Sequence, residues 1–161
     1  MNIKNKLKLY IDSYLNPKVE RKAKFSQFPV MDECTVGASS INNYINDNKE
    51  DTTFQTELFK LIDSKELKDS DVYNKVNIDR RLFSKIRSNK DYHPSKETVI
   101  LLGIALELTE DELENLLSLS SYSLPMNNTF DLIIRFCFKE KIFDINQINE
   151  FLYDYNCKTL N

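Results

Sequence analysis

The sequence has 161 residues, of which 41% are hydrophobic and 29% are charged, a composition typical of a folded globular protein and not of a disordered chain. Only two glycines and four prolines are present, which disfavours a turn-rich β architecture and favours helices. The net charge of −3 excludes a general nucleic-acid coat, because such proteins are strongly basic overall.

The apolar runs and the cysteines also argue against membrane-spanning proteins, secreted proteins and proteins stabilised by disulfides or zinc. No apolar run approaches the length of a membrane span, and lysines interrupt the N-terminal segment that would form the apolar centre of a signal peptide. The three cysteines, Cys34, Cys137 and Cys157, are widely spaced and form no C-x-x-C pair. This pattern predicts a protein of the reducing cytoplasm, without a disulfide or zinc framework.

Charge is unevenly distributed along the chain. Residues 1–74 carry a net charge of −1, residues 75–98 carry +4, and residues 99–161 carry −6. A basic segment on an otherwise acidic chain favours oriented, site-selective contact with a polyanion over loose sliding.

The N-terminal segment, residues 3–15, predicts an amphipathic helix, with Ile3, Leu7 and Ile11 at helical spacing. The helix is expected to dock on the rest of the chain with Lys4 and Lys6 in solvent. A basic arm that touches DNA or a membrane surface is the alternative. Residues 16–50 lack periodicity and predict a linker with one short helix near Ile41–Ile45.

A compact part begins at Thr52. Thr52 and Gln55 have the spacing of a capping box. The helix that they would open has its apolar residues on one face, at Phe54, Leu58, Leu61 and Ile62.

Residues 69–89, DSDVYNKVNIDRRLFSKIRSN, predict two short helices joined by a tight turn. Asn77 tolerates the left-handed conformation that ends a helix, and Asp79 is a good N-cap for the second helix. On a helical wheel the apolar side chains Leu82, Phe83 and Ile86 lie on the back of that helix. The opposite side, the basic front, carries Arg80, Arg81, Ser84, Lys85 and Ser88.

These residues resemble the helix-turn-helix of the lambda-repressor-like, Xre-type regulators. The resemblance runs from about Phe54 to Leu117 and is without gaps from Val72. The segment DRRLFSKIRSNKDYHPS is also similar to the C-terminal helix-turn-helix of some macro-domain proteins of Gram-positive bacteria. The chain departs from the family at Asp69, where a phosphate-binding glutamine is usual, and at Lys68, where a serine or threonine cap is usual.

The resemblance implies a second helix that enters the major groove of DNA, where arginine and lysine reach guanine edges and phosphates. Base contacts are then expected from Arg80, Arg81, Ser84 and Lys85. Phosphate contacts are expected from the end of the helix and the following turn, at Ser88, Asn89 and Lys90.

Ser95 is expected to cap a helix that runs from Thr98 to Leu108 and is apolar nearly all round. Both of its faces must therefore be buried. Leu101 and Ile104 occupy positions that are commonly lysine in the family, so a further element is expected to cover them. The candidates are two later helices, TFDLIIRFCFKEK and DINQINEFLYDY, the second opened by an Asp144–Gln147 capping box.

The two later helices carry a large apolar surface. That surface packs either within the same chain or across a dimer, and regulators of this class bind paired half-sites. Its residues are Phe130, Ile133, Ile134, Phe138, Ile145, Ile148, Phe151 and Leu152.

Nothing in the sequence favours an enzyme. His93 is the only histidine and reads as a polar loop residue beside a proline. The acidic clusters fit helix starts and solvated faces better than paired catalytic carboxylates. No Gly-rich phosphate loop, Ser-His-Asp order or metal-ligand spacing is present, so no cofactor and no metal are expected.

The sequence thus predicts an all-α protein in three parts. These are an N-terminal helix and flexible linker (1–51), a five-helix lambda-repressor-like domain (52–121) and a C-terminal helical hairpin (122–161). The expected function is sequence-selective binding of double-stranded DNA by a small cytoplasmic transcriptional regulator, with a homodimer as one arrangement. The alternative is a helix-turn-helix reused as a protein-binding regulatory module, phage- or defence-related.

Overall fold

A computed structural model describes residues 2–16, 38–48 and 52–160. Within these ranges the chain forms α-helices and no strand. The all-α prediction is therefore confirmed for the described residues. The helices are α1 (Ile3–Leu15), α2 (Ala38–Asn48), α3 (Phe54–Ser64), α4 (Asp69–Lys75), α5 (Arg80–Ser88), α6 (Lys96–Ala105), α7 (Glu110–Leu119), α8 (Thr129–Lys139) and α9 (Ile145–Asp154).

The chain divides into two compact units. One consists of Met1–Lys18 together with Thr53–Asn161, and the other is Val19–Thr52. In the second unit α2 confirms the short helix predicted near Ile41–Ile45, whereas most of the predicted linker lies outside the described residues. No helix in the described ranges is long and apolar enough to cross a membrane.

Helix boundaries in the larger unit follow local capping chemistry. The Asp79 carboxylate accepts a hydrogen bond from the Arg81 backbone N–H at 2.6 Å, which confirms it as the N-cap of α5. Asn77 has a φ of 54° and so adopts the left-handed conformation predicted for the turn before α5.

Two predicted capping boxes are wrong. Thr53, not Thr52, caps α3, because its hydroxyl accepts from the backbone N–H three residues later. Gln55 instead extends its side chain towards α5. At the start of α9, Asp144 is the N-cap, but its carboxylate accepts from the Asn146 N–H at 3.0 Å and forms no box with Gln147.

The centre of the larger unit is α6, in which every residue from Val99 to Ala105 is buried. It packs against α4 and α7. Gly103 allows a close approach here: an added Cβ would lie 2.7 Å from Leu113 of α7 and 3.2 Å from the ring of Phe138 of α8. The prediction that both faces of this helix are covered is confirmed.

Leu101 and Ile104 are 4% and 0% exposed within a single chain. Most of the apolar residues predicted for the two later helices are likewise buried in one chain, among them Ile133, Ile134 and Phe151. The intramolecular alternative therefore accounts for this surface, and no dimer contact is needed to cover it.

The C-terminal segment meets one side of α6. The meeting points are Phe138 at Gly103, Asp131 at Lys96, and Lys158 at Glu97. On a helical wheel of α6, positions 103, 96 and 97 span an arc that contains Ile104. Leu101 lies about 40° beyond the end of that arc. Ile104 is thus on the side that the C-terminal segment covers, and Leu101 is at its edge.

The N-terminal helix docks on the C-terminal helices, as expected. In α1, Leu7 and Ile11 are buried, and Tyr10 packs against the ring of Phe136 in α8 with centroids 5.5 Å apart. Its lysines do not simply face solvent, however. The Lys4 ammonium lies 2.6 Å from Glu150, and Lys6 pairs with a carboxylate at the end of α8.

Candidate nucleic-acid interface

The second helix of the predicted motif, α5, has one buried and one exposed side. Phe83 and Ile86 are buried and Leu82 is partly buried, so the apolar back enters the core. The polar side chains predicted as DNA contacts are all exposed, in agreement with the helical wheel. They are Arg80, Arg81, Ser84, Lys85, Ser88, Asn89 and Lys90.

The back of α5 packs against α3 and α4. The Phe83 ring lies 6.1 Å from that of Phe59 in an edge-on arrangement and 5.6 Å from that of Tyr73. At the other end of α5, the Gln55 side-chain amide donates to the Ile86 carbonyl at 3.0 Å and also to the next carbonyl. These contacts satisfy carbonyls that a helix C-terminus leaves without intrahelical partners.

Ion pairs divide the cations of residues 75–98 into two groups. Three of them are paired within the chain: Lys75 with Glu107 at 2.5 Å, Arg87 with Asp69 at 2.7 Å, and Lys96 with Asp131 at 2.6 Å. The other four are exposed and form no ion pair within the described part of the chain. They are Arg80, Arg81, Lys85 and Lys90.

The turn after α5 orders part of this basic surface. The Lys85 ammonium lies over the Tyr92 ring, 4.9 Å from its centroid. The Asn89 side-chain carbonyl accepts from the Asp91 N–H at 3.0 Å, and the Asn89 backbone carbonyl accepts from the Tyr92 N–H at 3.1 Å. Asn89 can therefore offer an external ligand its side-chain amide N–H groups.

One residue of this region was missed among the predicted contacts. Arg87 lies seven residues after Arg80, close to two helical turns, and therefore on the same side of α5. Its guanidinium lies 4.2 Å from the centroid of the Phe59 ring and 2.7 Å from the Asp69 carboxylate. The seven-residue spacing could have identified Arg87, but its acidic partner is set by the packing of α4 on α5.

The start of α4 is acidic. Asp69 and Asp71 occupy its first turn, and the N-cap Lys68 makes no side-chain capping hydrogen bond. Both departures from the helix-turn-helix family noted in the sequence are thus visible in the local geometry. They place one carboxylate, that of Asp69, beside the basic front.

The side chains considered for metal binding lie apart in the part of the chain that the structure describes. No three His, Cys, Asp or Glu side chains come together as a metal site within the described ranges. His93 packs its ring against Tyr122, with centroids 5.3 Å apart. The Cys137 thiol is buried.

Comparison with family models, with curated proteins and with solved structures finds no match for this chain. What the chain does must therefore be inferred from its own residues. The feature that stands out is a helix whose exposed side carries cations that form no ion pair in the described part of the chain.

Proposed function

We propose that the chain binds double-stranded DNA with sequence selectivity, as a small transcriptional regulator, and that α3–α7 form its lambda-repressor-like helix-turn-helix domain. The observation that carries the proposal is the set of four cations on and beside α5, which have no ion-pair partner in the described residues. Cations that the fold leaves without an ion pair on and beside one helix are available to phosphates and base edges.

The dimensions of α5 suit this role. With its side chains an α-helix is about 10–12 Å across, and the major groove of B-DNA, about 12 Å wide, admits it. Its cations lie at different points along the helix and are therefore expected to contact different parts of the DNA. Arg80 and Arg81 stand at the N-terminal end, where recognition helices contact base edges, and Lys90 follows the helix, where a phosphate contact is expected.

Binding of this kind has a measurable electrostatic signature. Each phosphate neutralised by a cation contributes about −0.9 to the slope of log affinity against log salt. The four cations therefore set an upper limit on the slope of about −3 to −4 per chain, reached when each of them neutralises one phosphate. The slope is read from fluorescence-anisotropy titrations of a labelled mixed-sequence duplex, and selectivity from selection of bound sequences out of a random pool.

The test replaces Arg80 and Arg81 together by alanine. Each should cost about 1–3 kcal/mol of binding free energy if it makes good base contacts. The matched control is the Lys8→Ala, Lys65→Ala double variant, which removes the same charge from exposed positions outside α5. Equal affinity of wild type and the Arg80, Arg81 variant would overturn the DNA-binding role of this helix.

A second candidate, a protein-binding regulatory module, is favoured by the acidic residues. Asp69 lies beside the basic front, and the chain after residue 98 is net acidic. Both features oppose a polyanion and suit a partner with its own basic groups. Absence of duplex binding at low salt by a folded wild-type protein would favour this candidate.

A further inference from the structure

A cleft of about 400 Å³ lies between α4 and α5, beside the basic front. It shares Arg80 and Ser84 with that front, so a ligand on the front also faces the cleft. Three cations, one carboxylate, two serines and two aromatic rings line it. The carboxylate is that of Asp69, and Arg87 is one of the cations.

Arg87 is held in this cleft in a defined orientation. The Phe59 ring supports one face of the guanidinium at 4.2 Å, and the Asp69 carboxylate binds its edge at 2.7 Å. The planar guanidinium binds phosphate oxygens with the same fork of N–H donors that it uses for carboxylates. A phosphate could therefore replace the Asp69 carboxylate without a change in the position of Arg87.

The existing pair is easily exchanged. The Arg87 and Asp69 side chains are 53% and 33% exposed, and ion pairs this accessible to water contribute little to stability. Asp69 is also the only carboxylate among the residues that line the cleft. The Asp69 carboxylate pairs with Arg87 and also repels an approaching phosphate.

We propose that the α4–α5 cleft is a binding site for a backbone phosphate of DNA, and that Arg87 passes from Asp69 to that phosphate when DNA binds. Asp69 then acts as a competing anion that sets the affinity. The inference rests on the proposed function, and it adds a phosphate contact that the chain in its free state conceals.

The test is Asp69→Asn, measured by anisotropy titration of the same labelled mixed-sequence duplex over a range of salt concentrations. Removal of one negative charge some 7 Å from a phosphate should raise affinity about threefold to tenfold. In the wild type the released Asp69 carboxylate takes up a counterion and offsets the one that the phosphate releases, whereas Asp69→Asn takes up none, so the salt slope should also steepen by up to about 0.9.

Asp71→Asn is the matched control. It removes the same charge from the same turn of α4, but Asp71 lines a different cavity on the side of Lys75 and Glu107. It should change affinity less than Asp69→Asn and leave the salt slope unchanged. In the double variant Asp69→Asn, Arg87→Gln the steeper slope should be lost, because the side chain that makes the new contact is absent.

The outcomes separate this inference from the function on which it rests. Duplex binding that weakens in the Arg80, Arg81 variant but is the same in Asp69→Asn and Asp71→Asn overturns the cleft site alone. Absence of duplex binding in the wild type and in Asp69→Asn overturns both. Circular dichroism establishes that each variant is folded, and Asp69→Ser replaces Asp69→Asn if the latter is not.

Discussion

Replacing Asp131 by alanine should weaken the contact between α8 and the first turn of α6. The Asp131 side chain is 2% exposed, and its carboxylate accepts a hydrogen bond from the Lys96 ammonium at 2.6 Å. It also accepts from the side-chain amide of Asn128, the residue that caps α8. The alanine variant would leave both donors without this acceptor.

The expected cost follows from the burial of the two partners. Loss of one member of a buried ion pair costs about 3–5 kcal/mol, mainly because the other charge is left uncompensated. The Lys96 side chain is 26% exposed, so water can hydrate part of its ammonium. The expected loss of unfolding free energy is therefore smaller, about 2–3 kcal/mol. At a urea dependence of about 2 kcal/mol per molar, the midpoint should fall by about 1–1.5 M.

Urea unfolding followed by far-UV circular dichroism measures this loss. The Lys96→Met, Asp131→Ala double variant should lose less free energy than the sum of the two single variants, because it removes both charges together. Lys6→Met, which breaks an exposed pair, should cost less than about 1 kcal/mol. A loss below about 0.5 kcal/mol for Asp131→Ala, or additive effects in the cycle, would refute the reasoning.

Gly103→Val should destabilise the protein by about 1–3 kcal/mol in the same assay, because its side chain would overlap neighbours packed against α6. Burial raises the pKa of Cys137 to about 12 and also raises the pKa of Cys157. Alkylation of the native protein at neutral pH should reach the partly exposed Cys157 before Cys137, and peptide mapping that shows faster labelling of the buried Cys137 would contradict this. The hydrogen bond from Lys75 lowers the pKa of the Glu107 carboxyl below 4.5, so its stabilisation is present above that pH and is lost as pH falls through the lower folded pKa. Lys75→Met should therefore reduce the drop in thermal midpoint between about pH 5 and 3.

Local sequence was sufficient to predict the helices and the two sides of α5. Capping and amphipathic spacing act over three or four residues, so Asp79 as N-cap and the left-handed Asn77 could be recognised without knowledge of the fold. The same periodicity predicted that Phe83 and Ile86 would be buried and that the polar side chains opposite them would be exposed.

Local sequence was insufficient where two patterns competed. Thr52 and Thr53 both have the chemistry of an N-cap, and a glutamine three residues after Thr52 favoured the wrong one. In the fold, Gln55 donates instead to carbonyls at the end of α5, 31 and 32 residues away. The choice between a local and a distant acceptor depends on where α5 lies relative to α3.

Tertiary structure alone decided which cations of the basic segment are available to a ligand. The helical spacing puts Arg87 and Arg80 on the same side of α5, so the sequence does not distinguish them. In the fold, Arg87 is paired with an aspartate 18 residues away. Lys4 is likewise paired with Glu150, 146 residues further along the chain. An ion pair depends on the distance between two groups in space, and for groups on different helices that distance is set by how the helices pack.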